Sequence, residues 1–284
     1  MQGHFSAVER LGYQQWASNA EPTHRIGTQT MFRMNMKSST TGYSIAKKNY
    51  PGLSELQNYK ISIIVPVLHE GPIINQTIGG IFDLPYDGEV EVIVVDGSPD
   101  GETLRAIEKN KVRKILTKKG RAHQMNQGAA AARGEILLFL HADTELPENA
   151  LNGISSLMRK GDFVGGAFDL GIKSDRPIFR LIEIAASLRS RCTCAPYGDQ
   201  AIFIRKEYFD SIGGFKEMPL MEDVELMRRI KKTGRKIYII PDKVKTSPRR
   251  WEKEGVIYCT LRNWTLMTLY SLGIPAEKLS KFYR

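Results

Sequence analysis

The sequence predicts an α/β fold in which helices flank a mostly parallel β-sheet. Three observations support this prediction: short β-branched runs alternate with helical segments, the runs have the length of buried strands, and polar clusters follow several of them. Strands that alternate with helices along a chain are joined by right-handed crossovers, which make neighbouring strands parallel.

The alternation begins at Lys60 and is regular as far as residue 140. A β-branched run that ends at a proline, as the first one does, is typical of a buried strand that leads into a loop. Gly134 is expected to end the Ala-rich helix that precedes it. The predicted strands cover residues 61–67, 90–96, 112–116 and 135–140, and the predicted helices cover 72–84, 102–110 and 124–133.

The second half of the chain has a more mixed pattern. It predicts strands over residues 164–172, 201–205 and 236–241, and helices over 177–191, 222–233 and 255–272. The last helix has an apolar stripe that includes Trp264, which is interpreted as a packing surface or as a membrane-contacting surface. We therefore expect a poorly ordered N-terminal extension over 1–58, one large domain over 59–251, and a helical C-terminal tail over 252–284 that packs on the domain or on a membrane.

Composition and charge favour a cytoplasmic protein. The 284 residues contain no apolar run long enough to span a bilayer, the N-terminus lacks the apolar core of a secretory signal, and three cysteines cannot form a disulfide framework. The formal charge is +10, and the chain from Arg228 onwards contains 15 Lys and Arg against four Asp and Glu. Such a basic segment either meets an anionic partner or keeps the protein soluble.

Polar residues follow three of the predicted strands. Glu70 lies after the first, Asp96 ends the second, and His141 and Asp143 follow the fourth. Ligands of open α/β sheets bind at the carboxyl ends of the strands, so these residues are candidates for one site. The sequence has neither a P-loop nor a dinucleotide fingerprint, so a bound nucleotide would be recognised by acids at the strand ends.

Asp143 is a candidate ligand for a hard divalent cation. Mg²⁺ and Mn²⁺ prefer oxygen ligands, and Mg²⁺ often takes only one or two protein carboxylates together with substrate phosphates. His141 precedes Asp143 by two residues and is a second possible ligand. The alternative is that Asp143 caps a helix beginning near Pro147.

Six motifs in chain order resemble those of family 2 glycosyltransferases. They lie at residues 65–70, 94–101, 120–129, 141–143, 213–215 and 221–226, and the resemblance extends over residues 61–251. It is closest to a small bacterial subgroup with His-Ala-Asp in the metal motif. The resemblance implies a GT-A fold, in which a Rossmann-like nucleotide half and an acceptor half share one central sheet.

The resemblance also implies roles for individual residues. It assigns nucleotide-sugar binding to Pro66, Glu70, Asp96, Arg121, Asp143, Arg250 and Trp251, metal binding to Asp143 and His141, and catalysis to Asp223 as general base with Glu222 beside it. Three positions depart from the family pattern. His141 replaces the first acid of the metal motif, Val95 replaces the first of two acids, and Ser247 replaces the glutamine of the Q-x-x-R-W motif, which argues against polymer synthesis.

We therefore expect an enzyme that transfers a sugar from a nucleotide-diphosphate sugar, with a UDP-sugar as the expected donor, with inversion at the anomeric carbon and with Mg²⁺ or Mn²⁺ as the cofactor. An Asp base would remove the acceptor's proton while the metal neutralises the leaving diphosphate. The alternative is an inactive GT-A scaffold that binds nucleotides or a membrane surface. Nucleic-acid binding is not expected, because no recognition motif is present.

The acceptor is expected to be lipid-linked, with the protein peripheral at the inner face of the membrane. This expectation depends on the basic C-terminal part of the chain and on the amphipathic segments at 177–191 and 255–272. The competing interpretation is that these helices close the acceptor half of the domain and that the charge only maintains solubility.

Overall fold

The protein is represented by a computed structural model that describes residues 58–283. The extension predicted over residues 1–58 lies outside this range except for Asn58. The described strands are β1 (Ile61–Val67), β2 (Val90–Asp96), β3 (Val112–Leu116), β4 (Ile136–Phe139), β5 (Thr144–Glu145), β6 (Gly165–Ile172), β7 (Phe203–Arg205) and β8 (Ile237–Thr246).

The helices lie on both faces of the sheet and in the C-terminal part of the chain. They are α1 (Gly71–Phe82), α2 (Glu102–Ala106), α3 (Arg121–Ala131), α4 (Ala150–Arg159), α5 (Pro177–Thr193), α6 (Lys206–Ser211), α7 (Glu222–Lys232), α8 (Arg249–Glu254), α9 (Val256–Ser271) and α10 (Ala276–Leu279). A short 3₁₀ turn, Gly198–Gln200, precedes β7.

All eight strands belong to one sheet, in the order β3-β2-β1-β4-β7-β6-β8-β5. The β1–β2, β1–β4, β2–β3 and β6–β8 pairs are parallel, whereas β7 is antiparallel to β4 and β6, and β5 is antiparallel to β8. The predicted α/β fold with a mostly parallel sheet is therefore confirmed. The parallel strands β1, β2 and β4 are almost fully buried, which explains their continuous apolar sequences.

Alternate residues of each strand contribute to two apolar cores, one on each face of the sheet. Ile63 of β1 packs with α1 and α4 on one face, and the next residue, Ile64, packs with α3, α6 and α7 on the other. Gly128 of α3 allows that helix to lie close to the sheet, because a Cβ there would be 2.4 Å from Cγ2 of Ile64.

Several predicted boundaries were wrong. The second helix ends at Ala106 instead of residue 110, and α3 begins at Arg121 and ends at Ala131. Gly134 does not end that helix; it lies where a Cβ would be 2.5 Å from Oγ of Ser62. β8 continues past Pro241 to Thr246, with a register shift opposite Phe168 and Asp169 of β6.

The C-terminal part of the chain contains α8, α9 and α10. Leu266 and Tyr270 of α9 and Leu279 of α10 form a small core with Val224 of α7. Between residues 58 and 283, no helix is both long enough and apolar enough to cross a membrane.

Candidate active site

A pocket lies beyond the carboxyl end of β4. Seven of the residues selected from the sequence contribute to its wall: Arg121, His141, Asp143, Glu222, Asp223, Arg250 and Trp251. The other contributors are Tyr197, Gly198, Asp199, Leu220, Met221, Thr246, Ser247, Cys259, Asn263, Leu266, Met267 and Tyr283. Segments that are distant in the chain, from α3 to the C-terminus, thus converge on one pocket.

Asp143 lies between β4 and β5, where the backbone fixes its position. Its carbonyl accepts a hydrogen bond from the N–H of Ser247 at 3.1 Å, and the following residue, Thr144, pairs with Thr246 of β8. The Asp143 carboxylate forms an ion pair with Arg249, with 3.2 Å between Oδ2 and Nε. The carboxylate is therefore held at the pocket beside a cation.

Arg249 also binds Glu70, so one guanidinium joins two carboxylates. Its Nη1 donates to Oε2 of Glu70 at 2.8 Å, and Nη2 donates to the other oxygen. Glu70 is the residue immediately before α1, at the end of the loop after β1. The sequence motif pointed to the neighbouring Arg250 and missed Arg249.

Arg250 has a different environment. Its guanidinium lies 4.0 Å from the centroid of the Tyr283 ring and 3.4 Å from Oε1 of Glu254. Trp251 follows it and packs edge-on against Phe179, with 5.9 Å between ring centroids. These contacts connect the pocket wall to α5 and to the C-terminus.

His141 and Asp143 are suited to part of a cation site. Burial lowers the pKa of His141 to about 3, and the charges of Arg121 and Arg249 act in the same direction, so the imidazole is neutral and its nitrogen can be a ligand. Within residues 58–283, no group of three or more His, Cys, Asp or Glu side chains is placed to hold a metal ion. A cation at Asp143 would therefore need oxygen ligands from a bound diphosphate, which is how Mg²⁺ is often held.

Asp223 and Glu222 begin α7. Met221 precedes them with a left-handed φ of 67°, which turns the chain into the helix at the pocket. The Asp223 carboxylate accepts hydrogen bonds from the N–H groups of Gly198 and Val224, both at 2.7 Å. Its position is thus fixed by the 3₁₀ turn and by its own helix.

Glu222 lies deeper than Asp223 and is only 5% exposed. Its nearest cation is Arg121, with 3.9 Å between Oε1 and Nε. Burial is the main cause that raises the pKa of Glu222, and the negative charge of Asp223 raises it further. Two adjacent acids of the helix therefore have different environments.

Asp199 is a fourth acid of the pocket, beside Asp143, Glu222 and Asp223, and sequence reasoning missed it. Its Oδ1 is buried and has no hydrogen-bond partner among the described residues. Burial, followed by the charge of Asp223, raises the pKa of Asp199 to about 6. The sequence signal for Asp199 was a Gly-Asp pair directly before an apolar strand. Such pairs are too common to identify a site residue.

Three other predicted binding residues lie outside this pocket. Pro66 is within β1, and Glu70 is held by Arg249. Asp96 is fully buried, and its carboxylate accepts hydrogen bonds from the N–H groups of Ser98 at 2.8 Å and Thr103 at 3.1 Å. Asp96 thus shapes the loop between β2 and α2.

Comparison with known proteins identifies the fold and the sequence relationship. A family profile described as Glycosyl transferase family 2 matches residues 62–216. The chain is 24% identical over 263 residues to the probable glycosyltransferase YdaM of Bacillus subtilis (strain 168), an alignment that covers 79% of this chain and 58% of YdaM. The chain thus spans less than two-thirds of that relative.

Among solved structures, the chain is similar to the mannosyltransferase PcManGT from Pyrobaculum calidifontis, determined in complex with GDP-Man and Mn²⁺. The TM-score is 0.52 at 22% identity, over 67% of this chain and 57% of PcManGT. The predicted GT-A fold is confirmed by this similarity.

Proposed function

Because the chain belongs to glycosyl transferase family 2, we propose that it transfers a sugar from a nucleotide-diphosphate sugar to an acceptor hydroxyl, with inversion at the anomeric carbon. The observation that carries this proposal is the convergence of Asp143 and Asp223 on one pocket. We infer that the Asp143 carboxylate would hold a diphosphate-bound cation and that the Asp223 carboxylate would take the proton of the acceptor.

The donor side of the proposal involves Asp143, His141 and two arginines. Asp143 offers a carboxylate oxygen and His141 a neutral imidazole, while Arg121 and Arg249 supply positive charge beside them. A bound Mg²⁺ or Mn²⁺ would neutralise the charge that develops on the departing diphosphate. Pro66 and Glu70, near the end of β1, are proposed to contact the nucleoside, and Asp96 is proposed to support it by fixing the loop after β2. The expected donor is a UDP-sugar.

On the acceptor side, Asp223 is the proposed general base. The N–H groups of Gly198 and Val224 fix its carboxylate at the pocket wall, so its position does not depend on the substrate. Inverting transfer requires a carboxylate that removes the acceptor's proton as the oxygen attacks the anomeric carbon. Glu222 is buried against Arg121 and is proposed to support this arrangement.

The pocket also contains polar atoms suited to an acceptor. Oδ1 of Asp199, Nε1 of Trp251 and Oδ1 of Asn263 are buried without a partner among the described residues, and all three side chains line the pocket. Buried polar groups normally have partners, so these atoms favour a ligand that offers both donors and acceptors, such as a hydroxylated molecule. We propose that this molecule is lipid-linked and that the enzyme acts at the cytoplasmic face of a membrane.

A thermal-shift screen of nucleoside diphosphates with Mn²⁺, Mg²⁺ or EDTA tests the donor side. We expect one base to stabilise the protein most, and the stabilisation to require the metal. Equal melting temperatures with and without every diphosphate would overturn the proposal. Hydrolysis or transfer of the matching nucleotide sugar then separates an enzyme from the alternative, an inactive scaffold that binds nucleotide but releases no diphosphate.

A further inference from the structure

The outer surfaces of α5 and α9 form a continuous apolar surface, here called the two-helix face. Its members are Ile178, Leu181, Ile184 and Leu188 of α5 and Ile257, Tyr258, Leu261 and Trp264 of α9. These are eight of the twelve large exposed hydrophobic residues described between residues 58 and 283. Such concentration on one surface is unusual for a monomeric protein and marks an interaction site.

The helix α5 has apolar residues on two sides: Phe179 is buried against Leu170 and Ile172 of β6, whereas other aliphatic side chains are exposed. Its inner side buries Glu183, which is 1% exposed and binds Arg180, Lys243 and the N–H of Ile172. Its outer side carries apolar residues at spacings of three or four, among them Leu181 at 64% exposure and Leu188 at 61%. Glu183 therefore anchors the inner side of the helix through its ion pairs and hydrogen bond, and the described residues leave the aliphatic side chains of the outer side exposed.

A groove joins the two helices. Ile182 and Ala185 of α5 and Val256 and Thr260 of α9 line it, together with members of the two-helix face. The groove is nearly free of polar atoms, because Thr260 is the only lining residue with a polar side chain apart from the indole nitrogen of Trp264. The apolar surface is thus continuous from one helix to the other.

The charges of the two helices favour an anionic partner. Together α5 and α9 contain four arginines, and their one carboxylate, Glu183, is buried. Arg180 and Arg191 are 48% and 43% exposed at the side-chain level, although they also pair with Glu183 and Asp169. Neither helix has an exposed carboxylate among the described residues, so the margin of the face presents guanidinium groups and no acid of these helices that would repel an anionic surface.

Aromatic residues also favour a lipid surface as the partner. Trp264 and Tyr258 are 54% and 62% exposed at the two-helix face. Tryptophan and tyrosine are enriched where protein meets the interface between lipid and water, and a surface with apolar and basic residues binds anionic bilayers peripherally.

The face is next to the proposed active site. Cys259, Asn263 and Met267 of α9 line the pocket, whereas Ile257, Leu261 and Trp264 of the same helix line the groove. One helix therefore separates the pocket from the apolar surface.

We propose that the two-helix face docks on an anionic lipid bilayer and places the pocket beside the lipid headgroups. Only the role of docking rests on the proposed function: it would give the pocket access to an amphiphilic acceptor. Docking itself requires no catalysis. The binding would be reversible and would weaken as salt screens the arginines.

Flotation of the full chain with vesicles tests the proposal. We expect the protein to float with vesicles containing phosphatidylglycerol at low salt, and to float less with phosphatidylcholine alone or at high salt. Leu181→Ser and Trp264→Ser should each reduce the bound fraction, with an apparent partition coefficient about tenfold lower, because each removes apolar area from the contact. Leu116→Ser is the matched control: Leu116 is 54% exposed at the end of β3, away from the face, and its variant should float like the parent chain.

Thermal unfolding and nucleoside-diphosphate binding of each variant separate docking from folding and from donor recognition. The proposal is overturned if the full chain ignores anionic vesicles at low salt, or if Leu181→Ser and Leu116→Ser lose binding equally. A concentration-dependent dimer that Leu181→Ser dissociates would instead assign the face to self-association. Vesicle binding by a chain that binds no nucleotide would leave docking intact and refute the proposed function.

Discussion

Asp143 and Arg249 form an ion pair in which Nε lies 3.2 Å from Oδ2, and the same guanidinium binds both oxygens of Glu70. A cation of the protein thus lies between two carboxylates that the family resemblance assigns to donor binding. A divalent ion that approaches Asp143 meets this charge first. If Asp143 holds a metal ion as proposed, Arg249 would compete with that ion for the carboxylate unless a diphosphate draws the guanidinium away.

Arg249→Ala is expected to raise the affinity of the nucleotide-free protein for Mn²⁺ by about tenfold, since it frees two carboxylates from a cation. Electron paramagnetic resonance titration of free Mn²⁺ measures this affinity. Arg250→Ala is the control, because the Arg250 guanidinium lies on Tyr283 and Glu254 and its removal should leave Mn²⁺ binding unchanged. Identical titrations for Arg249→Ala and the parent chain would contradict the competition.

Asp143→Ala is expected to weaken binding of a nucleoside diphosphate in the presence of Mn²⁺ by about 10²-fold, because the cation loses its protein carboxylate. Binding of the free nucleoside, which carries no phosphate, should change little. Isothermal titration calorimetry measures both ligands on the same sample. Equal diphosphate affinity in the two proteins, with or without EDTA, would remove Asp143 from the metal site.

Asp223→Asn is expected to preserve donor binding and to lower the rate of sugar transfer by about 10²-fold or more, because the amide keeps the shape of the carboxylate but accepts no proton. Single-turnover assays with a saturating donor measure this step. The exposed acid Asp242, which is outside the pocket, provides the control variant Asp242→Asn. If Asp223→Asn turns over normally, Glu222 becomes the candidate base.

Asp199→Asn is expected to stabilise the protein at neutral pH. Burial raises the pKa of Asp199 from 3.8 to about 6, so the folded state binds a proton that the unfolded state has lost in this interval. The contribution of Asp199 to stability therefore falls as the pH rises from 3.8 through about 6, and the asparagine variant does not share this loss. Urea unfolding at several pH values measures the free energy of unfolding of both proteins. The advantage of the asparagine variant should grow up to about pH 7 and then remain constant. A difference that is independent of pH would show that Asp199 is not the titrating group.

Gly128→Ala is expected to destabilise the domain by about 1–3 kcal/mol, because the new methyl would overlap Ile64 in a fully packed core. Gly79→Ala is the matched control in α1, where a Cβ meets no atom within 4 Å. That substitution should stabilise the protein by about 0.5–1 kcal/mol. Urea unfolding measures the free energy of unfolding of both variants. Equal changes relative to the parent chain would contradict the close contact between α3 and β1.

The nucleotide half of the fold was predictable because its strands are buried on both faces. Nearly continuous apolar runs define β1 and β2 at the predicted residues 61–67 and 90–96. The helix α4 was missed because Gly153, Ser155 and Ser156 weaken the apolar pattern, although Leu151, Ile154 and Met158 form a buried stripe. The helix α8 was missed because it is short, follows Pro248 and begins with two arginines, with no apolar period.

Only some residues of the candidate site could be predicted from the sequence. Motif spacing identifies residues that follow strands, such as Asp143, since the strand fixes where the next side chains lie. It does not distinguish Arg249 from Arg250, because neighbouring residues of a helix point about 100° apart and the fold decides which one meets Glu70. The location of Asp199 in the pocket depends on where the fold places the turn between α5 and β7, and no local sequence pattern specifies that position.

The position of β8 in the sheet affects how the chain folds during synthesis. Of the eight described strands, β8 is the last to be synthesised, yet it lies between β6 and β5 and is the parallel partner of β6. At translation rates of about 5–20 residues per second, one edge of β6 waits several seconds for this partner. Until β8 has been made, that edge of β6 has unpaired backbone N–H and C=O groups, which make it a template for pairing with another strand.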